Sequence, residues 1–388
     1  MNSKTFISFV PFIRLALSAA LLCTSAVHAQ IKIGLSLPVT GPAASVGIPG
    51  RNSVALFPAE IAGQTVQYIV LDDASDVTGA ARNMRKLVAE DNVDAVIGSS
   101  ISPPSLAMIP VALESNTPMI SIAGSVRIVA PMDAARAWAF KTPQNDALMS
   151  RAILDNLRVQ GHKTLALIAF NDAYGDGWIA ETRRQAAQAG VTITAAERFV
   201  RTDTTTIGQV LKVMASRPDA VLIIGAGTPC VLPQRELRAK GYKGVIYQTH
   251  GVANNDFLRV GGADVEGTLL PAGPVLVADQ LPDSPVREVA LDYMQRYEAA
   301  YGKGSVTTFG AHAWDAMLML QAAIPVALQS AAPGTAAFRA ALRDALEGIR
   351  DLPVSHGIMN LSAGDHNGLD ERARVMVKIA NGRWKLVP

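Results

Sequence analysis

The stretch Phe140-Lys141-Thr142-Pro143-Gln144-Asn145-Asp146 decides how the chain is divided. A proline followed by Gln-Asn-Asp reads as an extended crossing that ends on a helix start. Before it, short Val- and Ile-rich runs alternate with helix-like runs. Strands are expected at Ile31–Leu37, 65–71, 93–97 and 118–122, with helices at 78–90 and 105–114. Gly, Pro, Asp or Ser bounds each strand. This is the βαβ rhythm of a parallel sheet covered on both faces. After the crossing the rhythm begins again: helix 147–158, strand Thr164–Phe170, helix 178–189, strand 191–199. The segments Ile207–Ala215, Ala220–Ile224, 233–240 and Val245–Gln248 repeat the cycle. The chain therefore reads as two α/β lobes with right-handed connections inside each.

The last third is different. Amphipathic helices are expected at Pro285–Tyr301, 311–328 and 335–348. In the first of them Val286, Val289, Tyr293 and Tyr297 share one face. Strand-like pieces follow at 357–360, 375–379 and 384–387, with Asn381-Gly382 as a hairpin turn between the last two.

A length of 388 residues, 49% of them hydrophobic and 18% charged, allows a large core and favours two domains over one. The net charge is +2, and both extra charges, Lys4 and Arg14, fall in residues 1–29. Without them 33 basic residues balance 33 acidic ones. A neutral chain with no basic run and only 5% aromatics argues against a nucleic-acid partner.

Residues 1–29 have the layout of a signal peptide. Lys4 and Arg14 give the positive region, the run Leu15 to Leu22 gives the apolar one, and Val27-His28-Ala29 sets up cleavage after Ala29. The apolar run is too short for a stable anchor. Lipidation at Cys23 is the alternative, although Leu22 is not the small residue that lipoprotein processing favours before the cysteine. After cleavage Cys230 stands alone, so no intramolecular disulfide is expected, and Cys230 reads as a buried small hydrophobe.

The motifs of common enzymes are missing. Gly225-Ala226-Gly227 follows a strand as a dinucleotide fingerprint would, but Cys230 occupies the place of the third glycine. Gly98-Ser99-Ser100-Ile101-Ser102 fails as a nucleophile elbow because it ends in Ser. His162, His250, His312, His356 and His366 show no metal-ligand spacing. Asp72-Asp73 at a strand end can cap the following turn or, less commonly, hold a metal. No nucleophile, base or metal set is assembled, so no enzyme, cofactor or metal is expected.

Taken in order, several weak motifs resemble the Leu/Ile/Val-binding family of periplasmic solute-binding proteins, the capture subunits of ABC importers. They are Ile31-Lys32-Ile33-Gly34 with Thr40-Gly41-Pro42, Asp72-Asp73-Ala74, Val96-Ile97-Gly98, Asn171-Asp172-x-Tyr174-Gly175-x-Gly177, Gly357-x-Met359 and Asn381-Gly382-x-Trp384. The resemblance covers nearly the whole chain after residue 29. It implies two doubly wound parallel-sheet lobes joined by three hinge crossings, closing on a ligand like a clamp. The lobes would comprise 30–143 with 276–352, and 144–275 with 353–388. The partners implied are a small molecule and the membrane permease and ATPase subunits of an importer, with the chain acting as a periplasmic monomer.

The resemblance also carries over site positions. Ser102 stands where the family sets a Ser hydroxyl on the ligand carboxylate. Ser102-Pro103 also reads as a helix N-cap followed by proline, a role that can coexist with the first. Ala123 and Ser125 match residues that offer backbone and hydroxyl groups to the same carboxylate. Tyr174 and Phe309 match aromatic walls. Three positions depart from the family. His250 replaces the Glu that receives an amino-acid ammonium, and a neutral imidazole does not compensate that charge. Val46 and Gly227 replace aromatics and remove bulk, which leaves space for a larger, flatter ligand. The usual disulfide positions are Ser75 and Ile101. The ligand implied is a carboxylate without an α-amine, an aromatic acid above all. A receptor for an aliphatic amino acid or amide, and a sensing module for a membrane signalling partner, remain open.

Overall fold

The computed structural model describes Met1 and residues 30–387. The expected leader, its cleavage after Ala29, and Cys23 lie outside the described residues. No helix among the described residues is long and apolar enough to cross a membrane.

Two sheets carry the fold. In spatial order the first contains Glu60–Ile61, Gln64–Asp72, Ile31–Leu37, Ala95–Gly98, Met119–Ser121 and Ala139–Lys141. Its last five strands are parallel, and the short Glu60–Ile61 pairs antiparallel at the edge. Ile31–Leu37 is central: Ile33 lies opposite Tyr68 on one side and Ala95 on the other. Buried on both faces, this strand needs the apolar run that the sequence supplies. One face packs against the helices Pro285–Tyr301, Thr308–Ala327 and Ala336–Glu347, where Tyr293, Met317, Leu320 and Phe338 are buried. Ser284 starts the first of these helices, its hydroxyl accepting from Arg287 N at 3.2 Å with Pro285 next in line. Val289 of that helix is only half-buried, and Ala290 takes the buried place instead. The other face packs against Val77–Ala89 and Ser102–Ser115 through Met84, Leu87 and Met108.

The second sheet runs Arg383–Val387, Val375–Ala380, Leu269–Ala272, Val245–Gln248, Ala220–Ile224, Thr164–Phe170 and Thr192–Phe199. The two C-terminal strands join antiparallel, and the rest are parallel. Asn381 and Gly382 both have positive φ, at 54° and 67°, which makes the type I′ geometry of a tight hairpin.

The chain crosses between the sheets three times. The first crossing follows Ala139–Lys141, a strand end held by a buried lysine. Lys141 Nζ donates to Pro143 O at 2.7 Å, Gln144 O at 3.3 Å and Asn145 Oδ1 at 3.0 Å. The second follows Leu269–Ala272. The third comes later than the sequence reading placed it. The hairpin Leu352–Val354 with Gly357–Met359 was assigned mostly to the second lobe, but Val354, Met359 and Leu361 are buried in the first-lobe core. The chain joins the second sheet only at Val375.

Candidate functional site

Strand ends of both sheets meet at one cavity between the lobes. Ser100, Ile101 and Ser102 follow Ala95–Gly98, and Ile122 and Gly124 follow Met119–Ser121. From the other side come Tyr174 after Thr164–Phe170, Arg201 after Thr192–Phe199, Ala226 after Ala220–Ile224, and His250 after Val245–Gln248. Phe309 and His312 reach in from the start of Thr308–Ala327. Doubly wound sheets place their sites at such strand ends. The cavity is narrow, with room at its centre for about one water molecule.

Ser102, Tyr174, His250 and Phe309 are thus brought together. Ser102 is not the helix N-cap that the sequence suggested. Ile101 occupies that position, and Ser102 is the first helical residue with no capping bond. Its Oγ instead accepts from Ser125 N at 3.3 Å, which leaves the hydroxyl proton to donate. Ser125 lies behind this bond, with its own Oγ accepting from Arg127 N at 3.4 Å. Ala123 N, expected to face a carboxylate, already donates to Ser121 Oγ at 3.1 Å. Neither Ala123 nor Ser125 is among the residues that line the cavity.

Val46 and Gly227 do not free ligand space as expected. They oppose each other across the lobe boundary. A β-carbon on Gly227 would meet Ser45 Oγ at 2.7 Å and Val46 Cγ1 at 3.3 Å. Val46 is buried with Ala43, Ile101 and Phe309. The lobes are in close approach at these two positions. The Gly225–Gly227 turn is tied to the next strand end by Thr249 Oγ1 on Gly225 O at 2.7 Å and Gly227 N on Gly251 O at 2.8 Å. Cys230 is fully buried behind this turn, and burial pushes its thiol pKa up.

His250 opens a short turn that Thr249 caps. Its ring lies 6.3 Å from that of Tyr174 and 5.8 Å from that of Trp178. Burial, reinforced by Lys141 and His356, pushes its pKa down to about 3, so the imidazole is neutral near pH 7. Its Nδ1 is buried without a partner, and so is the Tyr174 hydroxyl.

The sequence reading missed three lining groups. The His312 ring stacks on His356 at 3.7 Å, and its Nδ1 also lacks a partner. His356 Nδ1 lies 2.7 Å from Asp315 Oδ2, so His312, Asp315 and His356 form a buried cluster that their sequence spacing concealed. The parallel stacking of the two rings keeps their in-plane lone pairs from converging on one ion. Arg201 also lines the cavity, its Nη1 buried and unpartnered. Ser100 Oγ is in the same condition. Asp72 and Asp73 cap loops, as one reading of them had it. Asp72 accepts from Val39 N and Ala74 N, and Asp73 from Ser75 N and Ser99 Oγ.

Electrostatically the cavity wall carries one cation, Arg201, whose charge is shared with Asp172 at 2.9 Å just outside the lining. Among the described residues that line it there is one guanidinium and no carboxylate. It can receive an anion and hydrogen-bond acceptors, but it offers no countercharge to an ammonium.

A family model described as periplasmic binding protein matches residues 30–381. The Leu/Ile/Val-binding protein homolog 3 of Brucella melitensis biotype 1 is 23% identical over 263 residues, covering 66% of this chain and 70% of that protein. The crystal structure of an extracellular ligand-binding receptor from Rhodopseudomonas palustris HaA2 is 44% identical with a TM-score of 0.90, covering 92% of this chain and 100% of that one. A second extracellular ligand-binding receptor from Rhodopseudomonas palustris is 39% identical with a TM-score of 0.90, covering 92% and 99%.

Proposed function

The chain belongs to the periplasmic binding protein family, whose members are receptors and not enzymes, and on that premise we propose that it captures a small organic acid for an ABC importer. The family binds small molecules and works with permease and ATPase components. Within it, this chain takes a carboxylate that lacks an α-ammonium group, an aromatic acid above all. Its leader is removed after Ala29, and the protein acts as a periplasmic monomer.

The observation that carries the ligand class is the charge of the cavity wall. An amino acid brings a carboxylate and an ammonium, and the second needs a carboxylate partner. The lining residues supply none, and His250, which the resemblance aligns with that partner, is buried and neutral. An aromatic acid lacks the ammonium. Its carboxylate goes to the Ser102 hydroxyl, its ring between Tyr174 and Phe309, and a polar substituent to His250.

A thermal-shift screen tests this reading. Benzoate, 4-hydroxybenzoate, phenylacetate and cinnamate are compared with leucine and isoleucine at equal concentration. A ligand at one hundred times its Kd stabilises by about 2.7 kcal/mol. Stabilisation by the aromatic acids is expected. Stabilisation by leucine or isoleucine and by none of the acids would return the chain to the amino-acid class.

A further inference from the structure

We propose that Arg201 is a second-lobe clamp on the ligand's carboxylate, so that the anion held at Ser102 bridges the two lobes and closes them. The inference rests on the organic-acid reading.

Arg201 is built to be fixed. Its guanidinium carbon lies 4.1 Å over the Phe170 ring, and Nη2 donates to Asp172 Oδ2 at 2.9 Å. Asp172 is held in place in turn, its Oδ1 accepting from Tyr174 N and Gly175 N at the start of Ala173–Ala189. Nη1 remains, buried and without a partner. A buried donor in that condition is costly until something accepts from it.

The position of Arg201 says what accepts. Its inner side borders the cavity with Ser102. Its outer side borders a groove with Ile101, Pro103 and Pro104, the residues that flank Ser102. Arg201 and the first turn of the Ser102–Ser115 helix thus border the same two spaces at the lobe boundary. A helix start carries positive partial charge, and Arg201 adds the part of its own charge that Asp172 leaves uncompensated at Nη1. An anion in the shared cavity is drawn to both. One carboxylate can take the Ser102 hydroxyl proton and Arg201 Nη1 together, and the planar fork of arginine suits it. The ligand's charge then supplies the attraction between lobes, and an uncharged compound of the same shape leaves the cleft open.

Titration calorimetry on the full chain reads this out, with the tightest of benzoate, 4-hydroxybenzoate, phenylacetate and cinnamate as probe and its primary amide as neutral isostere. For R201Q the acid is expected to bind about 10- to 100-fold more weakly and the amide to lose much less, while the melting temperature of the unliganded protein falls because the Asp172 ion pair and the Phe170 contact go with the guanidinium. S102A combined with R201Q should lose less than the two single losses together, because both groups act on one carboxylate. Small-angle scattering should show compaction of the wild type by the acid and none of R201Q. If R201Q does not fold, R201K decides: a point charge in place of the fork should weaken the acid several-fold and spare the amide. Wild-type affinity for the acid in the folded variant overturns the clamp and leaves the organic-acid reading standing. Failure of every acid to bind the wild type overturns both.

Discussion

Gly124 of the first lobe lies directly against the Tyr174 ring of the second: a β-carbon on Gly124 would meet Tyr174 Cε2 at 2.7 Å and His250 Nε2 at 3.4 Å. Gly124 is absent from the residues with positive φ, so alanine costs the first lobe no backbone strain. It acts only as a wedge between the lobes. Gly124→Ala is expected to weaken ligand binding by about tenfold, the size of a modest overpacking penalty, while the unliganded protein melts as before. Calorimetry and a melting curve on the same preparation check it. A large loss of unliganded stability would place the clash inside a lobe.

His250 and the ligand can be separated from the fold in the same manner. Its Nδ1 has no protein partner, so His250→Ala breaks no hydrogen bond within the chain. The expected result is an affinity loss of about 5- to 20-fold for an acid with a polar ring substituent, the worth of one hydrogen bond, and a smaller loss for the unsubstituted acid. Equal affinities for wild type and variant would show that the imidazole faces no ligand atom.

The parts of the fold legible from sequence are those where one local signal suffices. Ala220–Ile224, Val245–Gln248 and Thr164–Phe170 are apolar runs between turn residues, and their ends fall where the runs stop. The helix Ala44–Ser53 was not legible, because Gly47, Pro49 and Gly50 oppose helix formation. Tertiary contact explains it: a β-carbon on Gly47 would lie 2.0 Å from Pro38 O, so the helix packs its backbone on the preceding loop. Leu269–Ala272 was hidden by Pro271, which donates nothing to the sheet. In the site, Ser102, Tyr174, His250 and Phe309 belong to recognisable stretches. Arg201 belongs to none, and its guanidinium is held by Phe170 and Asp172, about thirty residues earlier. Val46 and Gly227 were misread because the sequence does not show that they touch.

Lys141 holds the first crossing, and its removal should be felt in stability. The side chain is fully buried and donates to two carbonyls and the Asn145 amide oxygen. Burial pushes its pKa down and that of Asp146 up, and each pulls the other back toward ionisation. Lys141→Met keeps the volume and strands Gln144 O, Asn145 Oδ1 and the Asp146 charge, while Pro143 O keeps Asn367 Nδ2 at 2.8 Å. A loss of about 3–5 kcal/mol is expected, as for a broken buried pair. Urea titration measures it. A change within about 0.5 kcal/mol would mean that the crossing holds without its lysine.

Acid should loosen the protein through the same region. His250 titrates near 6.5 unfolded and near 3 folded, and burial pushes His312 well below its ordinary value. Between those values the unfolded chain binds more protons at these sites than the folded one. Their contribution is therefore complete above pH 6.5 and is lost as the pH falls toward 3. From pH 6.5 to 5 one such histidine forfeits about 2 kcal/mol. Asp73, raised to about 6 by burial, works in the opposite sense between 3.8 and 6, so the wild-type curve alone is ambiguous. The difference between proteins is not. The wild type should lose more melting temperature between pH 7.5 and 5 than His250→Asn does, by roughly 3 °C. Parallel loss in the two would show that His250 is hydrated and titrates normally. The neutral-imidazole argument against an amino-acid ligand would then lose its footing.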